Sequence, residues 1–264
     1  MNLQELIING RLQNNPFIIY YVNNKERIMK FTHFVALIVL VLIAVPALMG
    51  QARNTNSEMT VQEAYLQASM EMVILNSARS STVEAEKLEA LEHIGEMTRS
   101  GDVSDEVFAI LEYFSLEGTL NQSRESNRLV NEFPAVRREA ARHLGNINTI
   151  EAELALIRMC EIDPEPLVLQ QAIVSLGNIG INEDNNAVNA IVRATTRFSS
   201  HGAPDNAIAN AAVMSLDKIF QNTGTLSINA YNLLLTIASG PYAPAVKERA
   251  RDLVTSVRRS AAQR

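Results

Sequence analysis

Four histidines and one cysteine are the side chains of this 264-residue chain best suited to metal binding or to nucleophile and proton chemistry near neutral pH. His33 falls inside an apolar run, which leaves His93, His143 and His201 as candidates. No His-x-x-x-His spacing, second cysteine or carboxylate triad accompanies them, so no metal site is expected. Cys160 stands beside Met159 and close to Ile157, a setting that favours a small buried side chain over a reactive thiol. Being alone, it cannot close an intramolecular disulfide, and stability must come from packing. There is no Gly-x-Ser-x-Gly, phosphate loop or dinucleotide fingerprint, and no catalytic carboxylate pair stands out among the acidic residues. The residues therefore name no catalytic group and no cofactor, and the chain reads as not an enzyme.

Charge narrows the partners. Residues 53–264 carry 19 Lys and Arg against 27 Asp and Glu, a net of −8. Phosphate-backbone binding rests on clustered cations, so nucleic acid is not an expected partner. The charge is polarised: residues 53–133 sum to −9, residues 134–246 to −3 and residues 247–264 to +4. The terminal cations Lys247, Arg249, Arg251, Arg258, Arg259 and Arg264 read either as a solvated capping helix or as a contact for an acidic partner or anionic headgroups.

The first 52 residues have the form of a processing segment. Lys25, Arg27 and Lys30 precede an uncharged run from Phe31 to Gln51 that is almost wholly aliphatic between Phe34 and Val45, and small residues Gly50 and Ala52 close it. This is the layout of a secretory signal over 29–52 with cleavage after Ala52, and residues 1–28 read as a non-native or disordered extension. Its expected consequence is a periplasmic or secreted protein. The alternative is an uncleaved anchor at residues 34–49 that holds the chain on the outer side of the cytoplasmic membrane and supplies its membrane contact. No cysteine stands at the end of the run, so lipid attachment at a cleavage-site cysteine is ruled out.

Residues 53–264 are read as one repeat domain. Pro134-Ala-Val-Arg-Arg-Glu-Ala-Ala-Arg-His-Leu-Gly-Asn-Ile147 returns 32 residues later as Pro166-Leu-Val-Leu-Gln-Gln-Ala-Ile-Val-Ser-Leu-Gly-Asn-Ile179. Val136, Ala140, Leu144 and Ile147 fall on one helical stripe, as do Val168, Ala172, Leu176 and Ile179. Further copies are Ile208, Ala212, Leu216 and Ile219, then Val246, Ala250, Val254 and Val257, with a weaker early one at Ala90, Ile94, Gly95 and Met97. His93 and His143 occupy the same place in the repeat. Pro134, Pro166 and Pro244 mark helix starts, where a missing amide hydrogen costs nothing. Gly145 and Gly177 sit where glycine costs about 1 kcal/mol relative to alanine, which points to close approach of a neighbouring helix, the alternative being a loosened helix end.

Each of these helices follows another amphipathic segment: 61–75, 103–116, 150–161, 186–198 and 226–238. Period-2 strand patterns are missing after residue 52, so the fold class is all-α, about five helix pairs in a solenoid. The polar stretch 117–132 interrupts the spacing and reads as a surface insertion with at most one helical turn.

The pattern Pro-x-Val-Arg-x-x-Ala-x-x-x-Leu-Gly-x-Ile resembles the second helix of short HEAT repeats, including those of the bilin-lyase-like subgroup. Residues 134–180 carry it well and residues 83–97 and 205–257 in part, since Asp217 and Thr255 stand where glycine is expected. Tetratricopeptide repeats have a similar period but need aromatic and Gly-Tyr positions that this chain lacks. The resemblance implies that second helices line a concave face, where Arg138, Arg142, Gln170, Val174, Asn210 and Met214 would form a binding surface. The expected function is a non-enzymatic interaction or scaffold module for a protein or envelope component. The alternative, implied by the same resemblance, is a chromophore- or ligand-handling enzyme of bilin-lyase type.

Overall fold

The computed structural model describes residues 61–100, 103–199 and 204–263. The signal-like segment with Ala52, the candidate anchor 34–49, and His201 lie outside the described residues. Among the described residues no helix is long and apolar enough to cross a membrane.

Among the described residues, ten α-helices alternate between two roles. The first helices of the pairs are α1 (Val61–Ser80), α3 (Asp105–Ser115), α5 (Ile150–Ile162), α7 (Asn186–Ser199) and α9 (Ile228–Ser239). The second helices are α2 (Glu84–Ser100), α4 (Pro134–Leu144), α6 (Pro166–Ile179), α8 (Asn206–Thr223) and α10 (Pro244–Ala262). Within a pair the two helices pack together, and each helix also packs on its counterpart in the next pair, so first helices form one layer and second helices the other. This is the five-pair all-α solenoid that the repeat spacing predicts.

Local chemistry sets the helix starts. Ser104, Thr149 and Ser227 cap α3, α5 and α9 by accepting from an amide three residues on, and Asp205 caps α8 by accepting from the amides of Ala207 and Ile208. Helices α4, α6 and α10 begin with proline at their first position instead. Between the layers runs one continuous core that holds the predicted stripe residues Val136, Ala140, Leu144, Val168, Ala172, Leu176, Ile208, Ala212, Leu216, Ile219, Val246, Ala250 and Val254, all buried.

The two glycines act differently from each other. Gly177 lies inside α6, but Gly145 is the residue that ends α4, in right-handed helical geometry. Both still permit close approach: a β-carbon on Gly145 would lie 2.5 Å from the Ser175 hydroxyl, and one on Gly177 would lie 2.6 Å from the Cα of Ser215. The serines complete the joints by donating to the preceding helix, Ser175 to the Ala141 carbonyl at 2.7 Å and Ser215 to the Ile173 carbonyl at 2.8 Å.

The insertion departs from expectation. It contains a two-stranded antiparallel hairpin, β1 (Arg124–Glu125) and β2 (Arg128–Leu129), turned by Ser126 and Asn127, both at positive φ. The buried Asn131 fixes its base: its side-chain amide donates to the Asn121 carbonyl at 2.7 Å, and its oxygen accepts from the Ser123 amide at 2.8 Å. Gly118, at φ +74°, is needed there, because a β-carbon would meet the Asn131 carbonyl oxygen at 2.6 Å.

Buried ion pairs tie this insertion to the helices. Lys87 of α2 reaches Glu117 at 2.8 Å and also donates to the carbonyls of Ala78 and Arg79. Arg137 of α4 donates to both carboxylate oxygens of Asp163, at 2.6 and 3.3 Å, and to the Glu117 carbonyl at 3.1 Å. Burial pushes the Glu117 carboxyl above its ordinary range, with Lys87 opposing that shift. The arginine of the Val-Arg repeat pattern therefore serves as a crosspiece inside the fold.

Candidate functional site

The joints between successive second helices repeat one design and then abandon it at both ends. Between α4 and α6, and between α6 and α8, a glycine faces a serine and the helices nearly touch. Between α2 and α4 the glycine remains as Gly95, but His143 stands where the later joints have serine. A β-carbon on Gly95 would lie 2.2 Å from the imidazole Cε1. The bulkier ring accompanies a cleft of about 340 Å³ lined by Leu88, Glu92, Arg99, Glu139, Arg142 and His143. Between α8 and α10 the glycine becomes Asp217 and the serine becomes Leu253, and a second cleft of about 380 Å³ opens. Its walls include Met214, Asp217, Arg249 and Asp252.

His143 is the central group of the first cleft. It is 1 % exposed, and its Nδ1 has no hydrogen-bond partner. Nε2 lies 3.2 Å from Arg142 Nη2 and 3.4 Å from Glu139 Oε1. Arg142 can only donate and the Glu139 carboxylate can only accept, so these two contacts of Nε2 call for opposite tautomers of the neutral ring. Burial first, then the positive charge of Arg142, lower the ring's pKa to about 4, and Arg99 adds to the effect. At neutral pH the imidazole is uncharged. Arg142 donates from Nε and Nη2 to Glu139, a bond that lowers the pKa of the Glu139 carboxyl and raises that of Arg142. Arg99 is held by a 2.9 Å bond from its Nε to the Gly95 carbonyl.

The predicted surface residues fall on this same layer. Arg138, Arg142 and Met214 are exposed, whereas Gln170, Val174 and Asn210 are half-buried. Asn210 Oδ1 accepts from Arg249 of α10, and its amide lies 3.5 Å from the Met214 sulfur, so these two belong to the α8–α10 cleft. Arg142 belongs to the α2–α4 cleft, and Gln170 and Val174 to the closely packed stretch between them. His93 does not join His143: it is exposed and lines a separate 140 Å³ hollow between α1 and α2 with Glu71, Ile74, Leu75, Glu96 and Met97. Cys160 is fully buried, and burial pushes its thiol up to about 12, which makes it inert at neutral pH. Among the described residues, no group of three or more His, Cys, Asp and Glu is placed to hold a metal ion.

Sequence reasoning singled out His143, Arg142 and Gly95 separately but missed Arg99 and Glu139 as its neighbours. The only available signal was the substitution at the serine place of an otherwise regular joint. Arg137, adjacent to the predicted surface residue Arg138, is buried, so the surface begins one residue later at Arg138.

The family model for HEAT repeats matches residues 126–197. No curated protein matches the chain. Among solved structures, a chain from the complex of CpcE and CpcF of phycocyanin lyase from Nostoc sp. PCC7120 is similar in fold, with 17 % identity and a TM-score of 0.50, covering 79 % of this chain and 69 % of that one. That likeness overturns the expectation that the chain is not an enzyme: the architecture it shares is that of a chain in a lyase complex, so the lack of a catalytic motif in the sequence does not argue against activity.

Proposed function

We propose that this HEAT-like repeat protein is a ligand-handling protein of lyase type that acts on a partner protein. In this reading the outer face of the second-helix layer receives the partner, and the α2–α4 cleft receives the small group that is handled. The observation that carries it is the pairing of a fold like that of a phycocyanin lyase chain with a cleft lined by a buried, uncharged histidine and two arginines. The likeness supports a protein partner as well, because the similar chain comes from a two-protein complex. The net charge of −8 over residues 53–264 favours protein over nucleic acid.

The location proposed is outside the cytoplasmic membrane, periplasmic or secreted, with retention by residues 34–49 as the second possibility. N-terminal sequencing of the protein from its native host decides this: a start at Arg53 in an extracytoplasmic fraction supports export, and a chain recovered intact from the cytoplasm overturns it.

Native mass spectrometry of the protein recovered from its host tests the activity. The expected result is a bound polypeptide whose mass increases by that of a small molecule when the solenoid is present. A bound polypeptide of unchanged mass, with no small molecule on either chain, would refute the lyase-type reading. Replacing Arg138 and Arg142 together by Glu is expected to weaken partner capture in a protein that still folds, since both are exposed. Undiminished capture by the folded double variant would remove this face as the docking surface.

A further inference from the structure

The two ends of the stack carry opposite charge. In the middle of the second-helix layer, α6 has no charged side chain and α8 has one of each sign, Asp217 and Lys218. Helix α4 has three arginines, but Arg137 is buried on Asp163 and Arg142 is paired with Glu139. The terminal second helices differ. Helix α2 carries five carboxylates against Lys87 and Arg99, and Lys87 is buried on Glu117. Helix α10 carries five cations against Glu248 and Asp252. Among the described residues, α1 and α2 pack on α3 and α4 but on no earlier pair, and α9 and α10 pack on α7 and α8 but on no later one.

Helical spacing places side chains on these two open flanks. In α1, Arg79 turns toward α3, 4.9 Å over the Tyr113 ring, while Met70, half a turn round, and Ile74 are 66 % and 54 % exposed. In α2, Glu86 and Glu89 are exposed and lie away from Gly95, which faces His143 of α4. At the other end of the stack, Arg249 turns toward α8 and bonds Asn210, while the exposed Arg251 and Arg258 lie half a turn round. Both are held against α9: Arg251 donates to the Ala238 carbonyl at 3.1 Å, and Arg258 donates to the Tyr231 hydroxyl. In α9, Asn229 reaches Asn189 of α7 at 3.3 Å, and the half-buried Tyr231 and exposed Leu235 fall on the other flank. A cap that served only solubility would present a polar outer face. Here each end sets apolar side chains on its first helix beside a charged second helix, acidic at one end and basic at the other.

We propose that copies of this chain associate head to tail, with α9 and α10 of one copy stacking on α1 and α2 of the next as successive pairs do within the chain. Tyr231 and Leu235 then cover Met70 and Ile74, and Arg251 and Arg258 meet Glu86 and Glu89. Charge selects this arrangement over its rivals: two N-terminal ends would set carboxylates against carboxylates, and two C-terminal ends cations against cations. A head-to-tail contact is heterologous and leaves one end of each assembly unused, so it builds short open chains rather than a closed dimer. The contact does not involve Arg138 or Arg142 and is independent of the ligand-handling reading.

Sedimentation velocity of the full-length protein reads the association. The weight-average mass is expected to rise with protein concentration past that of two copies, and to fall when salt is raised from about 0.05 M to about 0.5 M. Glu86→Lys with Glu89→Lys, and separately Arg251→Glu with Arg258→Glu, should each weaken self-association at least about tenfold. Mixed in equal amounts, the two variants should associate again, because each reversed end then meets a complementary one. Circular dichroism checks that each variant is folded. Should the arginine variant unfold, the carboxylate variant still decides: added in excess to the parent, it should shorten the chains, since it can cap an acidic end but cannot extend one. A monomer at every concentration, a species that stops at two copies, or association indifferent to the substitutions would overturn the proposal, as would a mixture of folded variants no more associated than either alone.

Discussion

Replacing Gly177 by alanine reverses the sign expected from helix propensity. In an unconstrained helix interior the change stabilises by about 1 kcal/mol. Here the new β-carbon would lie 2.6 Å from the Cα, Cβ and Oγ of Ser215, and the Cα cannot move without moving α8. Carbon atoms settle about 3.5–4.0 Å apart, so the helices must separate by roughly 1 Å. That separation costs about 1–3 kcal/mol of packing, and it stretches the 2.8 Å bond from Ser215 to the Ile173 carbonyl, worth about 1 kcal/mol more. The net expectation is destabilisation by about 1–3 kcal/mol. Urea unfolding followed by helical circular dichroism measures it, with Ser215→Gly in the Gly177→Ala background expected to recover part of the loss by removing two of the three clashing atoms, Cβ and Oγ. A Gly177→Ala variant as stable as the parent or more so would refute the close-approach account of this joint.

Other consequences of the structure can be measured in the same way. Leu176→Ala should cost on the order of 2–5 kcal/mol, since the side chain is wholly buried, and a change under about 0.5 kcal/mol would mean the stripe register is wrong. Arg137→Ala should cost about 3–5 kcal/mol by leaving Asp163 charged and buried without its partner, and a mild effect in thermal unfolding would contradict the role assigned to the pair. The pKa of His143 is about 4 when folded against an ordinary 6.5, so between those values the folded protein holds fewer protons than the unfolded chain. Stability should therefore decline as pH falls from about 6.5 to about 4, by up to about 3 kcal/mol from this group, while the raised carboxyls of Glu117 and Glu153 act in the opposite sense just above their ordinary range. His143→Ser should flatten that decline whatever it does to absolute stability, and an unchanged slope in pH-dependent urea unfolding would show that the ring is not the titrating group.

Much of the solenoid was legible because its signals are local. A stripe such as Val168, Ala172, Leu176 and Ile179 declares its buried face through spacing alone, and a proline at the head of α4, α6 or α10 declares a boundary without reference to any neighbour. The hairpin at residues 124–129 was missed because two-residue strands are too short to show alternation. Its geometry comes from the turn at Ser126 and Asn127 and from Asn131 several residues away. The pairing of Arg137 with Asp163 was invisible for a related reason: Val-Arg signals a repeat, but nothing near residue 137 indicates which carboxylate, 26 positions on, receives the guanidinium.

The candidate site was least legible of all, and the reason bears on where chemistry can arise in a repeat fold. A glycine facing a serine brings the two helices into close contact, as between α4 and α6. The two clefts described above lie where a member of the rung is exchanged for something larger, and the exchanged residue lines the cleft. His143 does this at one end of the layer, and Asp217 with Leu253 at the other. Read singly, each of these residues looks like drift from a pattern. Placed against the intact joints, each marks an opening whose lining differs in charge and size from the rest of the face. Regularity in the middle of the stack thus holds the second helices at close spacing, and the two ends of the layer depart from it in both size and charge.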